Sequence, residues 1–82
     1  MNPSWSVTAL DHERGDPGPR LAEALETLKA MRSEATLSTR SRQLMVEARI
    51  EARTFQDAMN RATSILGALG VTPTLFEARI AR

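Results

Sequence analysis

The sequence predicts an all-α domain: a helical hairpin with one long amphipathic helix and a short C-terminal helix, after a flexible N-terminal leader. Three observations carry that prediction. Between Arg42 and Leu69, Met45, Ala48, Ala52, Phe55, Met59, Ala62, Leu66 and Leu69 recur at alternating spacings of three and four residues, with no intervening proline. A second apolar face, Leu21, Ala24, Leu25, Leu28, Met31 and Ala35, starts just after Pro19, and proline suits the first turn of a helix because its missing N–H would be unpaired there anyway. Finally, Gly70 followed by Val71, Thr72 and Pro73 reads as a helix stop, a cap and a restart.

Met1 to Pro19 holds Pro3, Gly15, Pro17, Gly18 and Pro19, a spacing that interrupts regular structure. It is expected to be a flexible or extended leader, docked through Trp5 if it is ordered. The helical domain then spans residues 20–82. His12 lies between Asp11 and Glu13; neighbouring positions point in different directions and the chain has no second histidine, so a solvated polar run is favoured over a metal site. In the first helix, Arg20 to about Ala35, Glu23 and Glu26 precede Lys29 and Arg32, an order that complements the helix dipole. Thr36 to Thr39 lower helix propensity, and the apolar faces before and after them lie on opposite sides of a continuous helix. A reversal near Ser38 or Thr39 therefore lets the two faces meet, although one unbroken rod is the alternative. Arg40, Arg42, Arg49 and Arg53 offer either a stripe for phosphate or an acidic partner, or a solvated face partly paired with Glu47, Glu51 and Asp57.

With 82 residues and 41% hydrophobic content, much of it alanine, the chain has one domain's worth of core and little excess. Eleven basic and ten acidic residues leave a net charge of +1, without the excess expected of a strongly electropositive nucleic-acid module. No cysteine is present, so disulfides, thiolate metal sites and a cysteine nucleophile are excluded. Neither a secretory signal pattern nor an apolar run of membrane-spanning length occurs. A cytoplasmic protein with no membrane association is the expectation.

Residues 65–76 read Ile-Leu-Gly-Ala-Leu-Gly-Val-Thr-Pro-Thr-Leu-Phe. With Ile65, Leu69, Gly70, Val71 and the capping Thr72, and with Phe76 and Ile80 placed to pack inward, this stretch resembles a helix-turn-helix DNA-binding unit. That resemblance implies a second helix beginning at Thr72, with Pro73, Thr74, Glu77 and Ala78 near the major groove and Arg79 and Arg82 supplying charge. Thr72, Thr74, Arg79 and Arg82 are the corresponding nucleic-acid contacts.

Enzyme chemistry finds no pattern here. The acids alternate with arginines, a serine nucleophile would need a positioned base while the lone histidine, His12, lies in the leader, and no phosphate-binding glycine loop or histidine pair occurs. No catalytic residue, cofactor or metal is assigned. The leading functional expectation is a noncatalytic interaction or oligomerisation module, an adaptor or small subunit, bound to another copy or to a protein partner. Leu44, Met45, Phe55, Met59, Leu66 and Leu69 are its expected contacts, because the long stripe exceeds what the shorter first helix can cover. A small helix-turn-helix DNA-binding regulator is the alternative.

Overall fold

The computed structural model describes residues 2–13, 15–31 and 35–81. In chain order these form strand β1 (Ser4–Asp11), helix α1 (Gly18–Met31), strands β2 (Thr36–Arg40) and β3 (Gln43–Glu51), helix α2 (Phe55–Leu69) and strand β4 (Pro73–Ile80). The four strands make one antiparallel sheet in the order β2-β3-β1-β4. Each β-α-β unit inserts a strand of the other between its own two, which is the split, ferredoxin-like β-α-β-β-α-β topology.

Alternation along the strands decides which side is covered. Trp5, Val7 and Ala9 of β1 lie opposite Ile50, Ala48 and Val46 of β3 and opposite Ile80, Ala78 and Phe76 of β4. These residues share the helix-covered face, where Val7, Ala9, Val46 and Ile50 are buried. Above them α2 contributes Ala58, Ala62 and Leu66, one helical turn apart, and α1 contributes Ala24 and Leu28. The small alanine side chains let α2 approach the sheet closely. Two core clusters result. One holds Ala9, Ala24, Leu44, Val46, Leu66 and Val71, and the other Val7, Ile50, Ala52, Ala58 and Ala62. Trp5 closes the far end of the second, its Nε1 donating to the Ala52 carbonyl at 3.0 Å and its ring meeting Phe55 edge-on.

Local chemistry punctuates the elements. Thr54 caps α2 by accepting the Asp57 N–H on Oγ1, a bond of 3.1 Å. Gly70 ends that helix in the left-handed region at φ 70°, and Val71 folds back to donate to the Leu66 carbonyl. Between β2 and β3 the two-residue turn has positive φ at both Ser41 (52°) and Arg42 (65°). That is the hairpin turn whose twist matches its strands, made here without the Asn-Gly pair that adopts it most readily.

The sheet overturns the all-α expectation and its helical hairpin. What the periodicity marks as one helix from Arg42 to Leu69 is strand β3, a short connection and α2. The short C-terminal helix is strand β4, and the stretch expected to be a flexible or extended leader supplies β1, hydrogen-bonded on both sides. Propensity is too weak to resist: alanine, glutamate and arginine in β3 favour helices by only tenths of a kcal/mol each, about the scale that strand pairing and burial override. Two local readings agree with the structure. A helix does start around Pro19, spanning Gly18–Met31, and Gly70 does terminate the helix before it.

Candidate interaction surface

At the end of β1, Asp11 is fully buried. Its Oδ1 accepts the backbone N–H groups of His12 at 3.0 Å and Thr72 at 3.3 Å, and its Oδ2 is paired with the Arg20 guanidinium. Arg20 also reaches Glu13 Oε2 at 3.1 Å and the Gly70 carbonyl at 3.0 Å, while Gln43 Nε2 donates to the Asp11 carbonyl at 2.7 Å. The His12 ring sits with Nδ1 at 3.3 Å from Asp11 Oδ1 and 3.2 Å from the Thr72 carbonyl. These contacts tie β1 to the start of α1 and to the entry of β4. This is a fastening, and among the described residues no group of three or more His, Asp or Glu side chains could hold a metal ion. His12 and Asp11, which read as a solvated run in the sequence, belong to this junction; Gln43 and Thr72 lie far along the chain and Arg20 beyond the Gly-Pro run, so no local pattern marks them.

The other end of the molecule presents an unmatched surface. Since β4 is an outer strand of the sheet, one side of its backbone has no neighbouring strand among the described residues. Which groups face outward follows from its pairing with β1: the Ala81 N–H donates to the Ser4 carbonyl at 2.9 Å. By alternation Arg79, Glu77 and Leu75 also turn their backbone groups toward β1, which leaves those of Phe76, Ala78 and Ile80 pointing out of the sheet. Ile80 is 54% exposed and Phe55 49% exposed. Ile80 pairs with the half-buried Trp5, whose ring touches Phe55, so the strand's end carries an apolar strip. Pro73 occurs only at the strand's start, and its register with β1 shifts at Leu10/Asp11, where Pro73 and Leu75 oppose adjacent residues. The outward segment from Phe76 to Ile80 lacks such protection.

On the sheet face away from the helices, cross-strand pairing stacks side chains in rows. Arg49, Ser6 and Arg79 form one row, Glu47, Thr8 and Glu77 the next, and Met45, Leu10 and Leu75 the third. Glu77 and Arg79 are joined at 3.3 Å and both are exposed. Opposite charges therefore alternate two residues apart along the β4 edge.

The sequence-derived contacts scatter. Leu44 and Leu66 are buried in this chain's own core, and Leu69 packs against it. Met59 is half-buried on α2 and Met45 half-buried on the open sheet face. Phe55 alone of the six is an exposed large apolar residue. Of the nucleic-acid candidates, Thr72 is in the loop before β4, Thr74 and Arg79 are on that strand, and Arg82 lies outside the described residues. Residues 73–80 form a strand where the helix-turn-helix resemblance implies a recognition helix. What sequence reading misses is the edge, with Glu77, Ala78, Arg79 and Ile80. Its signal is the period-two alternation of Phe76, Ala78 and Ile80 with Leu75, Glu77 and Arg79.

No family model matches the chain, and neither a curated protein nor a solved structure matches it. Among the described residues, no helix is long and apolar enough to cross a membrane. A topology shared by many unrelated activities does not choose a function, so the surface must.

Proposed function

We propose that this chain is a noncatalytic protein-interaction module whose docking element is the outer edge of β4. The observation that supports this reading is the run of outward backbone groups on Phe76, Ala78 and Ile80, bordered by the exposed Ile80 and Phe55. An added strand gains main-chain hydrogen bonds from such an edge and side-chain specificity from its alternate positions. Among the described residues the interior of the fold offers no comparable site, because the buried polar junction at Asp11 is already internally paired. The edge replaces the long helical stripe as the basis for an interaction role.

The test compares the full-length chain with two variants in capture from lysate of the source cell, with and without nuclease. Ala78→Pro removes an outward N–H without touching the bonds to β1, and Ile80→Lys places a charge on the exposed end. Proteins retained by the native chain, insensitive to nuclease and lost from both variants while their circular dichroism stays native, are expected. Equal retention by the folded variants, or retention abolished by nuclease, would overturn the reading.

A further inference from the structure

We infer that the partner of the β4 edge is a second copy of the chain, the two β4 strands pairing antiparallel about a two-fold axis at Ala78. The two four-stranded sheets then become one continuous sheet. This inference rests on the reading of β4 as a docking edge, and it names the occupant.

The register follows from symmetry and charge. A two-fold axis normal to the sheet keeps each side chain on its own face, so a residue can oppose only itself or a residue an even number of positions away. Centring the axis on Glu77 sets Glu77 against Glu77; centring it on Arg79 sets Arg79 against Arg79. Both oppose like charges, which is unfavourable for directly facing pairs. With the axis on Ala78, Glu77 of each copy faces Arg79 of the other and the small Ala78 faces itself. On the helix-covered face, Phe76 then lies beside Ile80 of the second copy, so the 54% exposed Ile80 gains an apolar neighbour at both symmetric positions.

The backbone obeys the same register. Phe76, Ala78 and Ile80 are the residues whose N–H and C=O groups point away from β1. In this arrangement they face only one another, Phe76 with Ile80 and Ala78 with Ala78, and each pair can exchange both of its hydrogen bonds. Shifting the axis to Phe76 sets Ile80 against Thr72, whose N–H and C=O are engaged with Asp11 and His12, and sets Leu75 against Glu77 and Arg79 against Pro73, leaving both charges without a counterpart. Of these four registers, the one centred on Ala78 alone satisfies backbone, charge and apolar matching together.

Sedimentation equilibrium of the full chain, with Glu77→Arg and Arg79→Glu alone and mixed in equal amounts, tests it. Each substitution is at an exposed position and sets like charges opposite one another at two symmetric places. The native chain is expected to dimerise, and each variant alone to do so roughly tenfold more weakly or worse. Mixing the two brings the pair of arginines carried by the Glu77→Arg chain against the pair of glutamates carried by the Arg79→Glu chain, so the mixture is expected to recover affinity to within about threefold of native. The contact between Glu77 and Arg79 inside one chain is lost in both variants and not regained by mixing, so recovery reports pairing between chains. A mixture no tighter than its components, or a native chain monomeric at several hundred micromolar, overturns self-pairing. If the monomeric chain still captures a protein that Ala78→Pro loses, the docking-edge reading stands without self-pairing; if capture is insensitive to that variant, both fall.

Discussion

Replacing Arg20 with Ala removes the guanidinium paired with a carboxylate that has no contact with solvent. Asp11 keeps its two backbone donors, the amides of His12 and Thr72, so it is not stripped of every partner. Breaking a buried ion pair by truncating one member typically costs about 3 to 5 kcal/mol. The Arg20 side chain is 30% exposed, so water can follow the truncation, and the lower end of that range, about 3 kcal/mol, is the expected loss. For a chain of 82 residues total stability is roughly 4 to 12 kcal/mol, so such a loss is a large fraction of it. In urea unfolding followed by Trp5 fluorescence and by circular dichroism, a slope near 1.5 kcal/mol per molar turns it into a midpoint lower by about 2 M. Asp11→Ala should cost a similar amount, because it takes the acceptor from the Thr72 amide and the buried partner from Arg20, while the His12 N–H keeps the Thr72 carbonyl at 2.9 Å. The double variant should lose at least about 1 kcal/mol less than the sum of the two. A loss below about 1 kcal/mol for Arg20→Ala, the size found for exposed pairs, would refute the argument that the junction is buried and interdependent.

Three further outcomes are expected. Arg42→Gly should raise stability by about 1 kcal/mol, because Arg42 sits at φ 65°, where a side chain is strained and glycine is not; an unchanged or lower urea midpoint would count against that turn. Leu44→Ala, at a position 1% exposed, should cost about 3 to 5 kcal/mol, whereas Phe55→Ala, half exposed, should cost only about 1 to 2; thermal unfolding of the pair should reproduce that order. Thr54→Ala should cost about 1 kcal/mol by releasing the Asp57 N–H, and amide exchange should speed up in the first turn of α2 ahead of the rest of the helix.

Both helices are partly legible in the sequence, and for the same reason: their ends are made by local chemistry. Pro19 stands in the first turn of α1, and Gly70 terminates α2 with left-handed backbone that a side chain would strain. The strands are less legible. In β3 the buried Leu44, Val46 and Ile50 alternate with Met45, Glu47 and Arg49, yet Met45, Ala48, Ala52 and Phe55 also fit a helical spacing. Ala48 and Ala52 satisfy both periods, because alanine is apolar enough for either buried face and intrinsically favours the helix. In β1, Trp5, Val7 and Ala9 alternate cleanly with Ser4, Ser6 and Thr8, but the prolines and glycines that follow give the whole stretch the look of a leader.

The candidate surface is legible as residues and not as a site. Glu77 and Arg79 are two apart, a spacing that means nothing on a helix and places both on one face of a strand. Exposure of Phe55 and Ile80 likewise depends on where Trp5 comes to lie across the sheet.

Neighbouring residues suffice for some terms: where α1 starts, where α2 stops, the near balance of charge and the absence of thiol chemistry. That residues 43–51 and 73–80 are strands, that Asp11 is buried against Arg20, and that β4 lies at an outer edge of the sheet emerge once distant segments pack together. A strand has no internal hydrogen bonds, so its stability comes from partners distant in the chain, β3 and β4 for β1, and the choice between helix and strand is made only when those partners meet.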